Sequence, residues 1–273
     1  MTAVTLIFPH QLFADHPCIE KGQAVYLIEE SLFFRQYPFH RQKLVLHRAS
    51  MKKYAHALSQ RNLTVNYIDS QQELSDVRKL IQHLAEQNIT RIQFADVADN
   101  WLRTRIESSC KKHRIEIVEA VSPNFLNTLE GVKTFFATRK TYFQTAFYIE
   151  QRKQRNILLD AGGQPLGGQW TFDADNRLKY PKNGKPPVIT CAKDDRTVQE
   201  AKAYVAEHFS NHYGSTEKFI YPTDHAGASL WLDEFLETRF EQFGLYEDAL
   251  VANEHYLHHS VLTPMLNIGL LSP

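Results

Sequence analysis

AVYLIEE, residues 24–30, decides the architecture of the N-terminal half. Its apolar run has the length of a strand, follows Gly22, and stops at two carboxylates, Glu29 and Glu30. A short unbroken apolar run marks a strand buried on both faces, whereas a strand with one wet face alternates. Four more runs share this form: VTLIF at 4–8, closed by Pro9; VNYI at 65–68, closed by Asp69; RIQFA at 91–95, closed by Asp96; and IEIV at 115–118. Between them lie patterns of helical period. The longest, residues 40–61, places Leu44, Leu46, Met51, Tyr54, Ala55 and Leu58 along an apolar face, and two others fit 74–87 and 100–113. Strands alternating with helices predict an α/β domain over residues 1–125, with a Rossmann-like (flavodoxin-like) parallel five-stranded sheet. No G-x-G-x-x-G or G-x-x-x-x-G-K-[ST] occurs, so ordinary dinucleotide and P-loop readings lose their main support.

In such sheets ligands bind beyond the carboxyl ends of the strands. Those ends carry Pro9-His10-Gln11, Glu29-Glu30, Asp69-Ser70 and Asp96. Two adjacent carboxylates after an apolar strand can bind ring N–H or ribityl hydroxyl donors, or they can be a solvated strand end. The residues leave both readings open.

Bulk composition narrows little. The 273 residues balance 31 Lys and Arg against 31 Asp and Glu, which does not announce a nucleic-acid binder. The three cysteines are far apart and form no C-x-x-C, which argues against a disulfide framework, a zinc site or an iron–sulfur site within this chain. No run reaches transmembrane length and no basic n-region opens the chain, so a cytoplasmic protein without a membrane partner is expected.

Residues 124–160 are dense in aromatics mixed with Arg139, Lys140, Arg152, Lys153 and Arg155. Their spacing favours a packed helix with a basic outer face over a nucleic-acid surface. A Gly- and Pro-rich connector follows, in which Asp173 and Asp175 read as turn caps paired with Arg177. Beyond residue 196 the pattern is helical. Residues 198–209 and 226–243 form two helices, the second with Trp231, Leu232, Phe235, Leu236, Phe240 and Phe243 as core. The division expected is 1–125, a connector at 126–195, and a helical part at 196–273. The last helix, opened by Thr263-Pro264 and carrying Met265, Leu266, Ile268, Leu270 and Leu271, is apolar on most sides. No later chain is there to cover it, which reads as a sequence cut short.

Several of these stretches together resemble one superfamily. They are TLIFPHQLF (5–13), VYLIEESLFFRQYPFHRQKLVLHRASMKKY (25–54), GGQWTFDADNR (167–177), FGLYEDAL (243–250) and LHHSVLTPMLNIGLLSP (257–273). They look like the cryptochrome/photolyase superfamily, in the branch of deoxyribodipyrimidine photolyase-related proteins, also called iron–sulfur bacterial cryptochromes or prokaryotic (6-4) photolyases. The match would span about the first half of a typical member. The resemblance implies an antenna domain at 1–125 that holds 6,7-dimethyl-8-ribityllumazine near Pro9, His10, Gln11, Glu29 and Glu30. It implies the start of an FAD-binding helical domain, with Tyr246, His259, Ser260, Val261, Leu262 and Thr263 as a partial flavin site. Val261 and Thr263 replace the arginine and serine more common there. An iron–sulfur cluster would belong to the part not contained in this chain. The implied activity is that of a carbon–carbon lyase, repairing (6-4) photoproducts in damaged DNA by light-driven electron transfer from reduced FAD. This chain alone is expected to be inactive and to expose apolar helices that drive self-association. A chromophore- or partner-binding module, or a light-sensing cryptochrome without repair, are the alternatives.

Overall fold

A computed structural model describes residues 2–172 and 175–273. The strands are β1 (Ala3–Ile7), β2 (Ala24–Ile28), β3 (Thr64–Ile68), β4 (Arg91–Ala95) and β5 (Glu116–Ala120). The α-helices are α1 (Ser31–Phe34), α2 (Arg41–Gln60), α3 (Val77–Glu86), α4 (Asn100–His113), α5 (Leu129–Phe136), α6 (Gln144–Arg155), α7 (Arg196–His208), α8 (His225–Thr238), α9 (Phe240–Tyr246) and α10 (Thr263–Ile268). Two compact units result. The first joins residues 1–125 to 190–233 and 262–273, and the second joins 126–189 to 234–261. Packing, not order along the chain, sets this division, so part of the helical stretch after residue 196 belongs to the sheet unit.

In the first unit all five strands are parallel, in the order β3-β2-β1-β4-β5. This is the expected Rossmann-like sheet. Side chains on successive strand residues point to opposite faces. Leu6, Phe8, Ile92 and Phe94 accordingly meet Leu80, Ile81, Leu84, Leu102 and Ile106 of α3 and α4 on one side. Ile7 and Leu27 are fully buried as well, as are Leu44, Val45 and Met51 of α2. The helix read from residue 74 begins instead at Val77, after a 3-10 turn at Glu73–Ser75. Its first N–H groups are taken by carboxylates: Val77 N–H donates to Glu30 (2.8 Å) and Arg78 N–H to Asp76 (3.0 Å).

The last helix is not left without partners. Met265, Ile268 and Leu270 are buried within the first unit, and Leu12 N–H donates to the Ile268 carbonyl at 2.9 Å. An apolar helix needs a covering surface, and here the loop after β1 helps to provide it.

The second unit departs further from expectation. α5 buries none of its residues, and α6 buries only Arg152, which donates to the carbonyls of Ile157, Leu158 and Trp170. Phe135, Phe136 and Phe147 pack on one another at 4.8–5.5 Å, while Leu129, Tyr142 and Phe143 stay exposed. The aromatic face is thus open. The helix expected at 226–243 breaks at Arg239, whose fully buried guanidinium donates to Glu234 (2.9 Å) and to the His259 carbonyl (3.2 Å). Trp231 and Phe235 are buried, but Leu236 and Phe240 are exposed and not core. Asp173 lies outside the described residues, and Arg177 meets Asp248 at 3.7 Å.

Gly269 ends α10 with φ +82, and a Cβ there would stand 2.7 Å from the Phe13 ring and 3.0 Å from Leu12 N. Gly269→Ala is expected to cost about 2–3 kcal/mol through left-handed strain and the backbone clash. A urea midpoint equal to that of the parent would contradict the docking of α10.

Candidate functional site

The switch point of the sheet lies where β1 has β2 on one side and β4 on the other, so the loops after β1 and β4 diverge and leave a crevice. His10 follows β1 and reaches the carbonyl of Val97, after β4, with Nε2 at 2.7 Å. Beside it is a cavity of about 680 Å³, within the usual range for a small-molecule site. His10, Phe33 of α1, Lys43 and His47 of α2, Tyr221, and Thr263 of α10 contribute to its lining, all within the first unit. The Phe33 ring lies 4.9 Å from His10 and 6.4 Å from His47, centroid to centroid.

The imidazoles are neutral at pH 7. Burial lowers the pKa of His10 from 6.5 to about 4, against the Val97 carbonyl and the charges of Asp99 and Asp96. Burial, with Lys43 and His10 adding to it, lowers His47 to about 3. A carbonyl can only accept, so Nε2 of His10 carries the proton and Nδ1 is a bare acceptor. That Nδ1, and Nδ1 of His47, are buried without a protein hydrogen-bond partner. Buried polar atoms are nearly always paired, which makes two orphans on rings around one cavity informative.

The wall on the α2 side is held by the segment 210–218. Arg41 donates from its backbone to the Tyr213 carbonyl (3.0 Å) and from Nε to that of His212 (2.9 Å), and Gln42 donates to the carbonyls of Ser215 (3.0 Å) and Lys218 (3.3 Å). Gly214, at φ +89, crosses so close to His40 that a Cβ would sit 2.1 Å from the ring.

The residues singled out from sequence divide into groups. His10 lines the cavity, and Pro9 is buried beside it. Gln11 is fully buried and staples the loop, donating to Ala95 O (2.7 Å) and accepting from Phe8 N–H (3.3 Å). Glu29 and Glu30 turn inward. Glu29 accepts from Tyr67 (2.6 Å), Ser70 N–H (2.8 Å) and Arg48 (2.9 Å), while burial drives its pKa up against those donors. Glu30 accepts from Val77 N–H and Ser31, and burial raises it to about 7. Both carboxylates are fully buried and bonded to protein donors, which hold the surrounding walls.

The residues of the flavin set are divided between the two units. Tyr246 packs edge-on to Tyr180 (5.1 Å) and lies tilted against His258 (5.8 Å), and His259 packs edge-on to Phe243 (5.8 Å). Ser260 is half-buried, and Val261, at φ +55, occupies a region strained for a β-branched residue. These four belong to the second unit, whereas Leu262 is buried in the first and Thr263 lines the cavity of His10. A cavity of about 870 Å³ in the second unit, with Tyr148, Phe172, Glu241 and Glu247 in its lining, does not include them. Sequence reasoning missed Phe33, Lys43 and His47 as site residues. The spacing His40, Lys43, His47 along α2, one helical turn apart and beside His10 in the crevice, was the available signal.

Comparison with known proteins now adds the family. The sequence model of deoxyribodipyrimidine photo-lyase-related proteins matches residues 5–221. The chain belongs to that family. A (6-4) photolyase of Agrobacterium fabrum is 25% identical over 281 residues, covering 99% of this chain and 55% of that protein. An uncharacterized protein of Acanthamoeba polyphaga mimivirus is 32% identical over 192 residues, covering 66% of this chain and 96% of that protein. The chain therefore spans about half the length of the photolyase and nearly all of the viral protein. Among the described residues no helix is long and apolar enough to cross a membrane.

The imidazoles give the fold a pH dependence of known sign. An unfolded histidine takes its proton near pH 6.5, and the folded chain resists until about 4 at His10 and about 3 at His47. Their contribution is present above pH 6.5 and is lost as the pH falls through the folded values. Glu30 works oppositely: its contribution is present below 4.5 and is lost as the pH rises through about 7. His47→Gln should reduce the stability lost between pH 7 and 4.5 by about 1 kcal/mol or more. Urea midpoints at the two pH values, with Glu30→Gln showing the opposite trend, check this.

Proposed function

We propose that the first unit is the light-gathering part of a photolyase-related protein and holds 6,7-dimethyl-8-ribityllumazine in the cavity between His10 and His47. The observation that carries this reading is the pair of unpartnered imidazole nitrogens around an aromatic-lined cavity at the switch point of the sheet. Bound there, the lumazine would supply absorption of near-ultraviolet and blue light. The residues do the rest. Phe33 and Tyr221 offer apolar faces to a planar ring, and His10 offers Nδ1 to a hydroxyl or ring N–H. Gln11 and Glu30 hold the surrounding loops, so the cavity is formed before anything enters it.

Photolyases in general bind FAD and act on damaged DNA. For the protein to which this chain corresponds, we propose light-dependent repair of (6-4) pyrimidine photoproducts, a carbon–carbon lyase reaction driven by an electron from reduced FAD. The lesion has to leave the base stack for this, as for other enzymes that do chemistry on a base. The family membership and the (6-4) photolyase relative support this reading. The residues Tyr246, His259, Ser260 and Val261 are the proposed beginning of the flavin site, and exposed side chains such as Leu129, Phe143 and Leu250 the proposed cause of self-association. A second reading, a chromophore-binding module that works without repair, draws on the viral relative, which this chain covers almost from end to end.

The test is binding of the lumazine to the purified chain, followed by its fluorescence. Saturable binding is expected, with at least about tenfold loss on Thr263→Trp, which fills the mouth from an exposed position on α10. Absence of binding, or indifference to this substitution, would sink the assignment. Loss of a defined (6-4) photoproduct from DNA under blue light, absent in the dark, separates repair from the binding module.

A further inference from the structure

The cavity has an uneven charge that its shape alone does not require. Among the described residues no Asp or Glu lines it. Asp96 and Asp99, whose charges reach His10, are occupied elsewhere: Asp96 pairs with Arg103 at 2.6 Å, and Asp99 caps α4 by accepting from Leu102 N–H at 2.7 Å. Three imidazoles line the cavity, those of His10, His40 and His47. His10 and His47 are neutral, and His40 accepts from Gln42 N–H through Nδ1 at 3.1 Å, which leaves Nε2 as a donor.

Lys43 is the full charge of this lining. Its ammonium sits 3.8 Å over the ring of Phe39 and is half-buried. Burial alone shifts its pKa, and downward, with no carboxylate acting to restore it. Elsewhere in the same unit, buried and half-buried cations are matched: Lys53 meets Asp195 (2.6 Å) and Asp224 (2.7 Å), and Arg48 meets Glu29, Asp69 and Glu200. A desolvated ammonium is unfavourable until an opposite charge arrives.

We propose that Lys43 forms an anion subsite of the cavity, so that its occupant is a planar heterocycle bearing an acidic group, either a phosphate on its side chain or a ring that binds as its anion. This rests on the reading of the cavity as a heterocycle site. Lys43 supplies the charge and the Nε2 donor of His40 stands in the same lining, while the ring system lies against Phe33 and Tyr221. A neutral ligand of equal shape leaves the ammonium uncompensated and binds less well.

Riboflavin and riboflavin 5′-phosphate are suitable probes, because they differ only by the phosphate. At low salt the phosphate ester should bind the full chain at least about tenfold more tightly, as one charge-assisted contact provides. The preference should shrink with added salt. Lys43→Met should reduce it to about twofold or less, and Lys43→Arg should retain it. A far-ultraviolet circular dichroism spectrum equal to that of the parent shows that the Met variant is folded. Lumazine affinity measured against pH reads the second source of charge: it should rise as the ring ionises, and only with Lys43 or Arg present.

A separate arm uses inorganic pyrophosphate, scoring protection of Lys43 from amine acylation by peptide mass. Equal affinity for the two flavins, without protection by pyrophosphate, overturns the anion subsite and leaves the heterocycle cavity intact. Protection without binding of either flavin or lumazine keeps the subsite and removes the heterocycle reading. No binding of any probe overturns both.

Discussion

Arg48 is buried, and a buried guanidinium has to be surrounded by acceptors or the fold does not hold it. Its partners come from three places: Glu29 after β2 (2.9 Å), Asp69 after β3 (2.5 Å), and Glu200 on α7 (2.6 Å), with the ring of Tyr204 at 3.4 Å below the guanidinium plane. The cluster therefore pins α2 and α7 to the ends of two strands. His47 is the neighbour of Arg48 in sequence, and Lys43 lies just over one turn earlier on the same helix. The rotation of α2 that satisfies the guanidinium also fixes which side chains face the cavity. An ionic network with no ligand contact of its own thus sets the geometry of the candidate site.

The sheet was legible because its signal is local. AVYLIEE and RIQFA each state their own length and end, and the strands β2 and β4 match those residues. The helix at 100–113 was legible for the same reason, down to the basic last turn that suits its carboxyl end. The orientation of Glu29 and Glu30 was not. Whether a carboxylate after a strand meets water or a cation depends on Arg48, 19 positions later, and on Val77, 47 positions later. The cavity was hidden for the same reason, since its walls come from residues 10, 33, 43, 47, 221 and 263 and no window of sequence contains them.

Periodicity tells which residues share a face, and says nothing about whether the face is covered. That distinction explains the second unit. Phe135, Phe136 and Phe147 do gather as their spacing suggests, yet Leu129, Tyr142 and Phe143 remain in water. Arg239 shows the converse. A cation within an apolar-looking helical run reads as a surface residue, but among the described residues it is the largest of the fully buried side chains. It interrupts the helix because its guanidinium bonds the carbonyl of His259, a contact that periodicity cannot report.

The segment 210–218, clasped over the start of α2, also has a consequence in time. All five strands have been synthesised by residue 120, but the wall formed by Tyr221 and the cap formed by α10 belong to much later chain. At about 5–20 residues per second, the ribosome would release them on the order of ten seconds after the sheet. During that interval the nascent sheet carries the neutral imidazoles and the ammonium of α2 as an open rim. A heterocycle present in the cell could meet that rim before it closes, so the cavity need not be loaded through its finished mouth.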